Sequence, residues 1–265
     1  MVVGITLGLG GCEHLGLDLI DPGRGGGGGG EDGASRTHVL DFNGSGDYVR
    51  VRNSPHLQIS RLDGFTIDAW VRSDSWGHWN WIASHARSNA NNDFLFGFDQ
   101  GRLRFITDDL NNDLMGSTRL ETGRWHHVAG VQDRSTGQMI IYVNGEPAGR
   151  RQVVRGYEET DADLFIGARE SFGTDRPVEF FDGLLHEVRI WNSALTHEQI
   201  KRVMKERNPE LDDPGHYWGA GLNPNFIARW PMNEGTGAVV NDASGNGHTG
   251  RIYGADWTIA LDPMK

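Results

Sequence analysis

From Arg36 onward the chain is a succession of short apolar segments, each cut off within a few residues by glycine, asparagine or aspartate. That punctuation leaves room for strands and almost none for long helices. Phe65 to Arg72 sets the pattern: Phe65, Ile67, Ala69 and Val71 fall on one face and Thr66, Asp68, Trp70 and Arg72 on the other. Phe94, Phe96 and Phe98 alternate in the same way, and Asp99-Gln100-Gly101 then turns the chain into Leu103 to Ile106. Val39 to Phe42 and Tyr48 to Val51 flank the turn Asn43-Gly44-Ser45-Gly46, and Trp125 to Val131, Met139 to Val143, Asp163 to Gly167 and Leu184 to Trp191 continue the series. Asn144-Gly145 is a strong two-residue hairpin signal, because both positions of such a turn need positive φ. Strands at this spacing, joined by turns, predict a sandwich of antiparallel sheets. At 265 residues the chain is long enough to bury such a core without a disulfide or a metal.

One helix interrupts the pattern. Thr196 and Gln199 are spaced as a capping box, Leu195 and Ile200 as a hydrophobic staple, and Ile200, Val203 and Met204 form an apolar stripe. The spacing predicts a short helix over 196–207, stopped by Asn208-Pro209 and packed on the sandwich.

Residues 1–35 read differently. Asp21-Pro22-Gly23 and the glycine run 25–30 make a flexible linker. Cys12, the single cysteine, sits in Leu9-Gly10-Gly11-Cys12 after the apolar start Val2 to Leu9, which resembles a bacterial lipobox. Two readings stay open: a lipoprotein signal with lipidation at Cys12, or a disordered leader with a chance cysteine. The apolar run is short and no basic residue precedes it, unlike an export signal. A membrane contact is expected only through that anchor. The formal charge of −11 disfavours nucleic acid and anionic lipid and suits cations or neutral sugars.

Several segments, taken in order, resemble the laminin G-like, concanavalin A-like lectin/glucanase jelly-roll family of bacteria. They are Leu40-Asp41-Phe42-Asn43-Gly44-Ser45-Gly46-Asp47-Tyr48-Val49, Phe65-Thr66-Ile67-Asp68-Ala69-Trp70-Val71, Trp125-His126-His127-Val128-Ala129, Ile141-Tyr142-Val143-Asn144-Gly145 and Phe181-Asp182-Gly183-Leu184-Leu185-His186-Glu187-Val188-Arg189-Ile190-Trp191. The helix segment Leu195 to Ile200 and a tail, Ala228 to Gly237 followed by Asp242-Ala243-Ser244-Gly245-Asn246-Gly247, complete the series. The resemblance covers about residues 38 to 258 and implies an all-β, two-sheet antiparallel jelly roll with one short helix, occupying 36–265 as a single domain. Val188 and Ile190 are expected in the core, Glu187 and Arg189 on the opposite face, hydrated or paired, and Trp125 and Trp230 closing the core ends.

The resemblance also implies a calcium ion. Oxygen-rich turns supply the candidate ligands Asn43 and Asp47, and Asp242 and Asn246, with Glu187 beside the position where His186 replaces the family's aspartate. The competing reading is that such residues simply make good turns. Sugar binding needs aromatic faces with polar groups around them, and Ser75-Trp76-Gly77-His78-Trp79-Asn80-Trp81 is the richest such run. Trp76 and Trp79 are the expected ring platforms, Asn91, Asp93 and Asn111 the polar contacts, and Trp81 is expected to turn into the core. The alternating acids Glu159, Asp161 and Asp163 read as a solvated turn rather than the paired carboxylates of a glycosidase. His126 and His127 point to opposite faces of a strand and cannot share a metal from one side. The expectation is a non-catalytic recognition domain outside the cell or in its envelope, binding glycan or an extracellular protein. A purely structural or adhesion domain is second and a glycoside hydrolase last.

Overall fold

The alternating segments pair as strands, with one short helix, across residues 35–88, 91–107, 112–153, 160–171, 174, 176–206 and 226–265, which the computed structural model describes. In chain order the strands are β1 (Arg36–Asn43), β2 (Tyr48–Val51), β3 (Gly64–Ser73), β4 (Asn80–Ser88), β5 (Asn91–Asp99), β6 (Arg102–Thr107), β7 (Asn112–Arg119), β8 (His126–Asp133) and β9 (Gln138–Val143). They continue with β10 (Glu146–Gln152), β11 (Leu164–Ile166), β12 (Arg169–Ser171), β13 (Arg176–Val178), β14 (Asp182–Trp191), then helix α1 (His197–Val203), β15 (Phe226–Trp230), β16 (Val239–Val240), β17 (Gly250–Tyr253) and β18 (Asp256–Leu261). The first sheet runs β10-β9-β8-β3-β14-β1-β18, with β15 added to β14, and the second runs β16-β17-β2-β11-β4-β5-β6-β7. β12 and β13 form a separate hairpin.

The two inner faces meet in one apolar core. Phe65, Ile67, Ala69 and Val71 from β3 face Phe94, Phe96, Phe98 and Phe105 from β5 and β6, all fully buried. Contact between the sheets is close enough at Gly130 that a Cβ there would lie 2.8 Å from the Phe105 ring, so a side chain at this point of β8 would push the sheets apart. The expected hairpin forms: Asn144 and Gly145 take φ values of 51° and 83° and join β9 to β10.

β14 is the strand on which the first sheet is organised. It pairs with β3 on one side, and on the other with β1 at its start and β15 at its end. Between His186 and Arg189 it carries a bulge, with Glu187 at φ 51°. The extra residue changes the alternation, so Leu185 and Val188 both reach the core although three positions apart. Val188, Ile190 and Trp230 lie in the core as their positions predict, whereas Trp125 is only half-buried and packs on a small outer cluster of Val39, Leu184 and Ala260.

The outer face of the first sheet is closed by the helix and by buried charge. Thr196 caps α1 with the reciprocal bonds of a capping box, and Ile200 and Val203 pack with Trp191, Leu195, Phe226 and Tyr142. Under them Asp68, fully buried, accepts hydrogen bonds from Arg189 Nε at 2.9 Å and from Nη2, from His127 Nε2 at 3.0 Å and from Trp191 Nε1 at 2.6 Å. Arg189 also donates to the Val203 carbonyl at 2.9 Å and the Glu206 carbonyl at 3.1 Å, at the end of the helix. Neither Arg189 nor Glu187 is hydrated: Glu187 is buried and held by Arg229 Nε and Nη2 at 3.0 and 2.9 Å. The helix proper ends at Val203, short of the expected 207.

Burial by itself pushes the Asp68 carboxyl up, but Arg189 and His127 outweigh it and hold the carboxyl below the ordinary carboxylate range. Burial, partly offset by Asp68, also holds the His127 imidazole below its usual value, so His127 is a neutral donor at pH 7. Both groups therefore bind protons more readily in the unfolded chain, and stability drains away as pH falls. The loss begins as pH drops below about 6.5, where an unfolded histidine charges, and deepens below about 4 as Asp68 is called on to protonate. Chemical denaturation between pH 8 and 4 should show this descent, and Arg189→Met should lower stability at pH 7 by about 3–5 kcal/mol because it strands a buried carboxylate.

Candidate functional site

With its inner face in the core and, among the described residues, no helix over it, the second sheet has an outer face on which a site can be built. Strand alternation at the start of β4 decides its character. Ile82 takes the position between the sheets, so Trp81, buried as expected with 2% exposure, enters not the inter-sheet core but a separate cluster on the outer face. Trp81 joins Ala86, Leu95 and Ile106 in an outer cluster, and Trp79 from the preceding loop packs against it. The two indole rings stack at 5.6 Å between centroids and 17° between planes. The Arg104 guanidinium lies 4.4 Å from the Trp79 ring centroid, a cation–π contact.

Charged pairs border these rings. Arg104 donates from Nε to Asp113 Oδ1 at 2.7 Å and from Nη2 to Oδ2. On the other side Glu179 accepts from Trp81 Nε1 at 2.6 Å and from Arg169 Nε and Nη2 at 2.5 and 2.7 Å. Trp79, Trp81, Leu95, Arg104, Ile106, Arg169 and Glu179 enclose a cleft of about 200 Å³. Trp79 and Glu179 adopt φ values of 56° and 58°, the left-handed region that side chains avoid. Each such residue costs on the order of 1–3 kcal/mol and persists only where surrounding contacts impose it, a pattern found at binding sites.

Trp76 does not share this surface. Its ring meets Phe98 at 4.5 Å between centroids, its Nε1 donates to the Leu120 carbonyl at 2.9 Å, and it packs against the inter-sheet core. Its indole closes the sandwich end. Asp93 is buried and accepts from His85 Nδ1 at 2.8 Å, so it is out of a ligand's reach and does not serve as the expected polar contact. The Asn91 side chain, Asn111, Glu159 and Cys12 lie outside the described residues. The other acids of the 159–163 turn are engaged, Asp161 with Arg87 at 2.5 Å and Asp163 with Arg50 at 2.5 Å. The polar residues that do border the cleft, Arg104, Arg169 and Glu179, carry no local motif.

The candidate calcium ligands fall in two places and are occupied by internal partners. Asp47 Oδ2 accepts the Asn43 N–H at 2.9 Å, and Asn43 Oδ1 accepts the Ser45 N–H at 2.8 Å, which is turn chemistry. Glu187, Asp242 and Asn246 do gather around β15, but both Glu187 oxygens face the Arg229 guanidinium. Asp242 accepts the N–H groups of Arg229, Ser244 and His248 at 3.0, 2.8 and 2.9 Å. Burial pushes the Asp242 carboxyl up, and these bonds together draw it below its usual range. Asn246 donates to the Phe226 and Ile227 carbonyls at 2.9 and 3.0 Å. These turns do not fit a hard cation that needs six to eight oxygens, and among the described residues no group of three or more His, Cys, Asp or Glu converges as a metal site.

The laminin G family model described as the concanavalin A-like lectin/glucanases superfamily matches residues 43–201. Human pentraxin-related protein PTX3 is 22% identical over 149 residues, 54% of this chain and 39% of its own, so the chain spans about two fifths of that relative's length. A candidate carbohydrate-binding protein from Bacteroides ovatus superposes with a TM-score of 0.62 at 22% identity, covering 85% of this chain and 60% of its own. A heptameric SAP-like pentraxin from Limulus polyphemus gives 0.52 at 21% identity, covering 63% and 81%. At such identities the structural likenesses speak for the fold alone.

Asp242→Ala should reduce stability by about 2–3 kcal/mol, the scale of charge-assisted hydrogen bonds lost from a half-buried loop. The loss measured by thermal melting should be the same in chelator and in added calcium, because the loop is held by backbone N–H groups.

Proposed function

This chain belongs to the concanavalin A-like lectin/glucanases superfamily, and from that membership we propose that it is a non-catalytic recognition domain working outside the cell, which binds glycan at the Trp79–Trp81 cleft. The observation that carries the reading is the stacked indole pair lining a cleft edged by Arg104, Arg169 and Glu179. A pyranose ring has an apolar face of C–H groups and an equatorial rim of hydroxyls. Aromatic faces take the first, and guanidinium and carboxylate groups arranged beside them take the second. Arg104 uses Nε and Nη2 on Asp113, and its Nη1 faces Asp99 Oδ2 at 3.8 Å, beyond direct hydrogen-bond distance, where a sugar hydroxyl would have to share it. At about 200 Å³ the cleft suits one sugar ring better than a longer segment.

A catalytic role is not part of the reading. A glycosidase needs one carboxyl kept protonated and another free to attack or to activate water. Both oxygens of the one carboxylate lining the cleft, Glu179, accept from Arg169, and lone pairs so engaged are not free to attack a sugar carbon. The described turns give calcium no ligand set, and the glycan contact proposed here does not call on one.

A glycan array probed with the full chain should return a defined set of neutral or lightly substituted sugars, and Trp79→Ala should abolish that binding while leaving the melting temperature within a few degrees. Trp76→Ala should do the reverse, lowering stability by about 3–5 kcal/mol with glycan selectivity kept. An array that stays blank for the wild-type chain, or Trp79→Ala binding as well as wild type, would remove the proposal.

A further inference from the structure

The same outer face carries a second, chemically different surface at its other end. β2, β17 and β11 lie side by side, with Arg50 directly opposite Arg251 on one side and Phe165 on the other. Tyr48 stands opposite Tyr253 one row along, and the two phenol rings stack at 4.6 Å and 10°. Arg50, Arg52, Asp163, Thr249, Arg251 and Tyr253 line an open depression of about 340 Å³. It shares no lining residue with the Trp79 cleft.

The charge balance here is opposite to that of the molecule. The chain has 36 acidic and 25 basic residues, yet this depression gathers three arginines and one carboxylate. Asp163 is already paired with Arg50 at 2.5 Å and also accepts the Asn53 N–H at 2.8 Å. Among the described residues neither Arg52 nor Arg251 has a carboxylate partner, although Arg251 lies 5.3 Å from the Tyr253 ring centroid. Like charges directly across a strand pair repel and cost stability. Arg50 and Arg251 hold that arrangement on an exposed sheet face where an acid at either position would relieve it.

We propose that this face binds an acidic polysaccharide, its sulfate or carboxylate groups held by Arg50, Arg52 and Arg251 and a sugar ring resting on the Tyr48–Tyr253 pair. Guanidinium forks match the planar or trigonal oxygens of both acid groups, and Tyr48, packed between Phe165 and Tyr253, props up the Tyr253 ring beside them. The surface is independent of the Trp79 reading and stands if that reading fails. Strand spacing suits a chain: neighbouring strands lie about 4.8 Å apart, close to the length of one sugar residue, so Arg50 and Arg251 can meet acid groups on successive units.

The test is isothermal titration of the full chain, at low salt, with a heparin-derived sulfated hexasaccharide, an oligogalacturonate hexamer, a neutral cellohexaose and a single-stranded DNA hexamer. At least one acidic sugar should bind, more tightly than the neutral sugar and the DNA, and binding should weaken with added salt. The sulfated or the uronate arm, whichever binds, assigns the acid group. Arg52→Ser and Arg251→Ser should each weaken it about tenfold, the scale of one charge-assisted hydrogen bond, with a melting temperature no lower than wild type, because both side chains are exposed and the second change also relieves the repulsion with Arg50. Trp79→Ala should leave it unchanged. The proposal is overturned if neither acidic sugar binds, if both serine variants bind like wild type, or if DNA binds as tightly as the sugar.

Discussion

Asp68 is the point on which the rest of the first sheet turns. A carboxylate with no exposure is tolerable only if its charge is met and its lone pairs are filled, and here three side chains from two strands distant in the chain are drawn together to do that. Arg189 comes from β14, His127 from β8 and Trp191 from the end of β14, and Arg189 carries the connection on to the last carbonyls of α1. The cluster therefore fixes the register of β3 against its two neighbours and seats the helix over them. It also commits the part of that outer face beneath the helix to structure, since α1, Phe226 and the buried ions pack over it.

The outer face of the second sheet is covered by no helix among the described residues, and its exposed positions divide into two chemistries. At the β4-β5-β6 end, indole faces and balanced ion pairs make a small amphipathic cleft. At the β17-β2-β11 end, unbalanced arginines sit beside stacked phenols. A neutral ring and an acidic group are the ligands these two surfaces suit, and a polysaccharide can present both.

Local features were legible in the sequence. The Phe65 to Val71 alternation, the Asn144-Gly145 turn and the Thr196–Gln199 capping box each depend on residues within a few positions of one another, and all three form as their spacing predicts. The site was legible only in part. Trp79 was visible as a loop aromatic, but the direction of Trp81 hinges on which of two adjacent apolar residues, Trp81 or Ile82, takes the core position. The bulge at Glu187 erases the alternation in β14 that placed Glu187 and Arg189 on one face, hydrated or paired, and each is instead buried with its own partner. The oxygen-rich turns looked like cation ligands because a sequence does not reveal that their acceptors are already filled by N–H groups, as at Asp47 and Asp242. The facing of Arg50 and Arg251 needs the register between strands near opposite ends of the chain, which no local pattern encodes.

The division of labour between the two sheets can be read directly by two-dimensional NMR of the tryptophan indole N–H groups during titration with a bound sugar. The account predicts that the Trp79 and Trp81 resonances move together and saturate at one ligand per chain, while those of Trp191, bonded to Asp68, and Trp230, bonded to the His248 carbonyl at 2.7 Å, stay in place. Movement of Trp191 with Trp79 and Trp81 silent would put the partner on the helix-covered face and contradict it.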